Sequence, residues 1–164
     1  MKRNAAELTQ LANEWGVVFA DAGIPEIAGR ILGWLLVCDP PSQSLEQLRI
    51  ATRASKASIS TMTRLLHHLG FIERTAGTER GVTLYRLGDD PWTAFSEKRL
   101  ETSRRLVKLG NKAVESLHWL PADRRRRIEH MAEFWSFVLQ RSEAMMEEWK
   151  EHRAADRKRK SRAG

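Results

Sequence analysis

The chain has 164 residues, 41% hydrophobic and 30% charged, with a net charge of +7. That length suits one domain burying roughly 70% of its unfolded surface without staples, and the lone Cys38 excludes both an internal disulfide and a tetrahedral zinc cage. The first residues lack the apolar stretch of a secretory leader, and the longest apolar run, 31–38, falls far short of the roughly 20 residues that cross a bilayer. The expectation is a cytoplasmic protein with no membrane insertion.

The positive charge is unevenly placed. Residues 1–43 hold 3 basic and 5 acidic groups, and 88–152 hold 12 of each. The excess lies in 44–87, with 7 basic against 3 acidic, and in 153–164, with 6 against 1. Four parts follow: N-terminal scaffold and dimerisation helices (1–43), a compact basic module (44–87), long dimerisation helices (88–152) and a basic tail (153–164). The tail has no apolar residue larger than alanine and is expected to be mobile. It serves either as a solubilising end or as a nonspecific phosphate-binding arm.

Asn4 and Glu7 form a capping pair ahead of Leu8, Leu11, Trp15, Val18 and Phe19 at helical spacing, predicting a first helix that ends near Asp21 to Gly23. Pro25 suits the first turn of a second, mostly apolar helix through Ile27, Ile31, Trp34 and Leu35, stopped by Asp39, Pro40 and Pro41. Ser44 and Gln47 form a capping box for a short helix reaching about Thr52. After three residues Ser55 caps a helix from Lys56 to Leu69, with Ile59, Met62, Leu66 and Leu69 inward and Gly70 closing it. Two β-prone runs, 71–75 and 82–87, flank a polar, glycine-containing turn and predict a hairpin. Asp89, Asp90 and Pro91 open a long helix to Leu120, and Asp123 caps the last one.

That last helix places Ile128, Met131, Trp135, Val138, Ser142, Met145 and Trp149 at alternating spacings of three and four, a heptad seam. From 123 to 152 it would extend about 45 Å, against about 40 Å for a compact globule of this size. The expectation is a homodimer joined along this seam, the alternative being a hairpin with the preceding helix of the same chain.

Helix, short turn, capped helix and hairpin in a basic stretch describe a winged helix-turn-helix, so the predicted fold class is mainly α with a small β-hairpin wing. A major groove about 12 Å wide admits one helix whose outer face is small or polar. Lys56, Ala57, Ser58, Ser60, Thr61, Arg64 and His68 form such a face, with no carboxylate on it. Ser55 and nearby amides suit a phosphate oxygen, Arg64 a bidentate guanine contact, and Ser60 and Thr61 base edges or thymine methyls. Arg80 at the wing tip suits the minor groove or the backbone, while Arg74 and Arg86 lie on the wing strands.

These residues resemble the MarR superfamily of bacterial regulators, and its GbsR-like branch in particular. The resemblance rests on GRILGWLLVCDP at 29–40, SLEQL at 44–48, IST at 59–61 and GFIER at 70–74. It implies a dimeric repressor of membrane-transport or efflux genes, with terminal helices pairing the subunits. It also implies a small lipophilic effector bound between the dimerisation and DNA-binding regions. Many relatives carry arginine where Thr61 stands and several basic residues at the wing tip, where this chain has Arg80 between Glu79 and Gly81.

Trp34, Trp92, Trp119 and Trp135 are candidates to line an effector cavity, against core packing for each alone. Cys38, beside Leu36 and Val37 with no basic neighbour, reads as an inert thiol. The histidines form no HExxH pair, and glycine-rich phosphate loops and GxSxG elbows are absent, so no metal, cofactor or enzymatic activity is expected. Arg124, Arg125, Arg126 and Arg127 oppose a helix dipole and require acidic side chains or an anionic partner. The functional expectation is a sequence-specific regulator on an inverted-repeat DNA operator. The rivals are a nonspecific RNA- or DNA-binding or architectural protein that uses the tail, and a protein-interaction scaffold.

Overall fold

The computed structural model describes the backbone of residues 2–77 and 81–163 and the side chains of 6–77 and 81–159. The elements are α1 (Lys2–Asp21), α2 (Glu26–Leu35), β1 (Gln43–Ser44), α3 (Leu45–Thr52), α4 (Lys56–Leu69), β2 (Ile72–Ala76), β3 (Thr83–Leu87), α5 (Pro91–Ser116) and α6 (Ala122–Ala163). They form two compact units, Met1–Phe95 and Ser96–Gly164.

The first unit is built on small residues between α1 and α2. A side chain at Gly29 would lie 2.9 Å from Gly16 Cα and 3.1 Å from the Trp15 carbonyl, and one at Gly33 would lie 2.9 Å from Ala12 Cα. The two helices therefore touch backbone to backbone. Replacing Gly29 by valine is expected to cost about 3 kcal/mol, because overpacking here meets main chain that cannot step aside. Chemical denaturation measures this loss, and a midpoint equal to wild type refutes the close approach.

Several boundaries differ from the sequence expectation for local reasons. Helix α1 begins before Asn4, so the expected cap lies inside it. Pro25 sits at the N-cap of α2 (φ −52°, ψ 134°), not in its first turn, and its carbonyl accepts the Gly29 amide at 3.1 Å. The helix stops at Leu35, where the amides of Val37 and Cys38 both turn back to the Trp34 carbonyl.

The module 44–87 forms as its capping residues dictate. Ser44 Oγ accepts the Gln47 amide at 3.2 Å, while Gln47 Oε1 accepts the Ser44 amide at 2.8 Å, closing the box at the start of α3. Arg53, with φ 53°, ends α3 and turns the chain toward α4. Ser55 Oγ accepts the Ser58 amide at 3.1 Å. Gly70, with φ 88°, ends α4 as the Gly70 amide reaches the His67 carbonyl and the Phe71 amide that of Leu66.

The wing is a three-stranded antiparallel sheet in the order β1-β3-β2, with Ile72 opposite Leu87 and Arg74 opposite Tyr85. Strand β1 was not expected, since two residues after a proline pair carry no alternation. Gln43 makes it structural. It is 3% exposed, pairs with Tyr85, accepts from Trp34 Nε1 at 3.2 Å and donates to the Pro40 carbonyl at 2.6 Å. One core joins Ile31 and Leu32 of α2, Leu48 of α3, Ile59 and Leu66 of α4, and Phe71, Ile72 and Tyr85. Phe71 is its hub, stacked on Phe95 at 4.3 Å and edge-on to Trp92 at 5.6 Å and Phe19 at 6.3 Å. The result is the mainly helical, winged helix-turn-helix architecture that the sequence predicts.

In the second unit, α5 and α6 run antiparallel. Arg104 pairs with Glu143 and Lys150 with Glu97, both at 2.8 Å. A side chain at Gly110 would come within 3.2 Å of Ala132 Cα. The intramolecular hairpin, the alternative considered for the seam, is therefore present. The buried line on α6 runs through Ala132 and Met146, with Leu139 between them, and shares Ile128, Trp135 and Ser142 with the expected seam. Met131 and Val138 are half-buried like Ile128 and Trp135, while Met145 and Trp149 are exposed on the single chain.

Helix α6 also departs from expectation at its start. It starts on the Pro121 carbonyl, which accepts the amides of Arg124 and Arg125 at 3.0 Å, and Asp123 lies in the first turn instead of capping it. Arg125 pairs with Glu129 at 3.1 Å and Arg127 with Asp123 at 3.7 Å, which offsets part of the unfavourable charge there. The tail, expected to be mobile, continues the helix to Ala163. Residues 153–163 contain no glycine or proline, are rich in the helix formers alanine, lysine and arginine, and gain the Asp156–Arg159 pair at 2.7 Å.

Candidate nucleic-acid interface

Helix α4 turns Ile59, Thr63 and Leu66 into the core, which leaves the opposite side to solvent. Lys56, Ala57, Thr61, Arg64 and His68 are exposed, and Ser58 and Ser60 half-exposed. Every residue placed on the outer face from sequence is accessible. Arg64 lies along the helix, its Nε donating to the Ser60 carbonyl at 3.3 Å and a terminal nitrogen to Thr61 Oγ1 at 3.5 Å. It can exchange these exposed bonds for a guanine edge without breaking an ion pair. Ser55 is less available than expected, because its hydroxyl already serves the Ser58 amide and lies 2.9 Å from Ser58 Oγ.

Between α4 and the wing runs an open groove of about 690 Å³ whose cationic lining comprises Lys56, Arg64 and Arg74. Lys56 and Arg74 have no ion-pair partner among the described residues. Sequence reasoning missed two groups here. Glu46, from the first turn of α3, brings a carboxylate to the groove, held below its usual range by a hydrogen bond from Arg49 and further by the charges of Arg49 and Lys56. His67 lines the groove as well. Its position is legible, since 56, 60 and 67 return to one shoulder of an α-helix, beside the outermost ridge.

The other expected contacts separate. Arg86 is engaged by Asp89 at 2.9 Å and by Glu73 across the strand pair, and these carboxylates raise its pKa, hydrogen bonding to Asp89 contributing most. Its guanidinium is thus already engaged at the base of the wing and is less available to a phosphate than that of Arg64. Arg80 lies outside the described residues.

Of the tryptophans expected around an effector, Trp34 is tied to Gln43, and Trp92 stacks on Phe19 at 6.4 Å. Trp119 is exposed in the α5–α6 connection, and Trp135 sits edge-on to Phe134 at 5.5 Å. Neither the groove at α4 nor a shallower one of about 610 Å³ along α5 is lined by any of them. Burial pushes the Cys38 thiol up, which disfavours a reactive thiolate. No helix among the described residues is long and apolar enough to cross a membrane.

Residues 90–152 match the family described as MmpR5-like MarR family transcriptional regulators. The HTH-type transcriptional regulator MmpR5 of Mycobacterium tuberculosis is 34% identical over 132 residues, covering 80% of this chain and 80% of that protein. A crystal structure of a transcriptional regulator superposes with a TM-score of 0.77 at 31% identity, over 88% of this chain and 99% of the other.

Proposed function

Since the chain belongs to the MmpR5-like MarR family and is thus a DNA-binding transcriptional regulator and not an enzyme, we propose that it acts in the cytoplasm as a homodimeric repressor of an inverted-repeat operator. Two copies of α4 enter successive major grooves about 34 Å apart. The observation that carries this reading is the outer face of α4, where Lys56, Thr61 and Arg64 stand exposed with no carboxylate among them. Phe134, Phe137, Met145 and Trp149, exposed by 39 to 61% along α6, support pairing with a second subunit. A small lipophilic effector releases DNA by binding better to a form with the wrong helix separation. Placement in the GbsR-like branch, with transport or efflux genes as targets, rests on the segment at 29–40.

The continuous basic end of α6 favours a second reading, nonspecific polyanion binding. Competition separates the two. A duplex selected by the protein from a random library is displaced by unlabelled selected duplex and by unlabelled random duplex at physiological salt, using the intact chain and one ending at His152. The repressor reading expects the selected competitor to be at least 10³-fold more effective for both chains. Equal displacement overturns it, and loss of most affinity with the tail establishes the second reading.

A further inference from the structure

His67 lines the groove with a ring whose two nitrogens are engaged differently. Its Nδ1 lies 3.0 Å from the Ile72 carbonyl. A carbonyl only accepts, so this bond places the proton of the neutral ring on Nδ1 and leaves Nε2 as a bare lone pair. The ring belongs to the lining of the groove that Lys56, Arg64 and Arg74 make attractive to phosphate. In the neutral state its free nitrogen repels a phosphate oxygen; once protonated, the same nitrogen donates a charge-assisted hydrogen bond to it.

We propose that His67 is a proton-dependent contact to the DNA backbone, so that each subunit takes up a proton as it binds. This rests on the DNA-binding reading above and adds to it a residue and a pH response. The charged and titratable groups that line the groove with it are Lys56 and Arg64 of its own helix, Arg74 of β2, Tyr85 of β3, and Glu46 of α3, already engaged by Arg49. Glu73 of β2 is occupied by Arg86. The cations draw phosphate toward the ring, and the arriving phosphate stabilises the imidazolium. The sign follows: the protonated ring is favoured in the complex, so affinity falls as pH rises.

The test is calorimetric titration of the full-length chain with a duplex that it has selected from a random library. Titrations in two buffers of different ionisation enthalpy at about pH 6 and about pH 8 count the protons taken up. The wild type is expected to take up protons and to lose affinity by up to about tenfold per pH unit for each proton linked. His67→Gln, whose amide donates at any pH, is expected to bind with the His67 uptake abolished and the pH dependence reduced accordingly. An unchanged proton count in His67→Gln overturns the inference while leaving the DNA-binding reading intact. Failure of the wild type to bind any duplex removes both. Should His67→Gln unfold, nitrogen NMR of the wild-type imidazole decides. Protonation of Nε2 on adding duplex upholds the proposal, and a ring that stays neutral in mild acid refutes it.

Discussion

Phe71→Ala is expected to lower the unfolding free energy by about 3 to 5 kcal/mol, as removal of a fully buried phenylalanine does elsewhere. The ring is 1% exposed and meets Phe95, Trp92 and Phe19 at once, so its loss opens a cavity bounded by three other aromatics. Its position amplifies the effect. Phe71 immediately follows the αL turn at Gly70, its amide closes α4, and its carbonyl accepts the Gly88 amide at 3.1 Å as β3 exits. The side chain thus anchors the point where recognition helix and wing diverge. Urea denaturation measures the change, and a loss below about 1 kcal/mol would mean that the aromatic cluster collapses around the gap.

Arg64→Ala is expected to weaken binding to a selected duplex by about 1 to 3 kcal/mol for each recognition helix, while affinity for random duplex changes little. The contrast between the two duplexes separates base reading from charge, since a phosphate contact would weaken both alike. Equilibrium anisotropy titration supplies both affinities. The same experiment with Arg86→Ala is expected to leave both nearly unchanged, because Asp89 and Glu73 occupy that guanidinium. Equal losses on both duplexes for Arg64→Ala would assign Arg64 to the backbone.

Much of the first unit was legible because its signals are local. The Ser44–Gln47 box, the Ser55 cap and Gly70 each act within four residues, and the ends of α3 and α4 fall where they dictate. What escaped depends on contacts between elements. Nothing in the two residues of β1 announces a strand; its place is set by β3 and by Trp34. The pairing of Arg86 with Glu73 needs the hairpin register to be known.

The apolar face of α6 is different in kind. Its apolar arc is wider than one seam, and Ile128, Trp135 and Ser142 satisfy two registers. Large residues at 131, 138 and 145 define the line expected between subunits, whereas Ala132 faces α5, where Gly110 comes close enough to touch it. A glycine in the middle of α5 was the signal that a small partner lay opposite. The tail continues α6 as helix because the absence of bulky apolar residues argues against a packed core, not against continuation of a helix already nucleated.

The buried amide of Gln43 carries a consequence for motion. It belongs to a strand, a loop carbonyl and an indole nitrogen together, so peeling β1 from β3 strands several polar groups away from water at a cost of about 1 to 3 kcal/mol each. The root of the wing therefore opens only in concert with the core. Slow amide exchange with solvent belongs to Tyr85 and its neighbours.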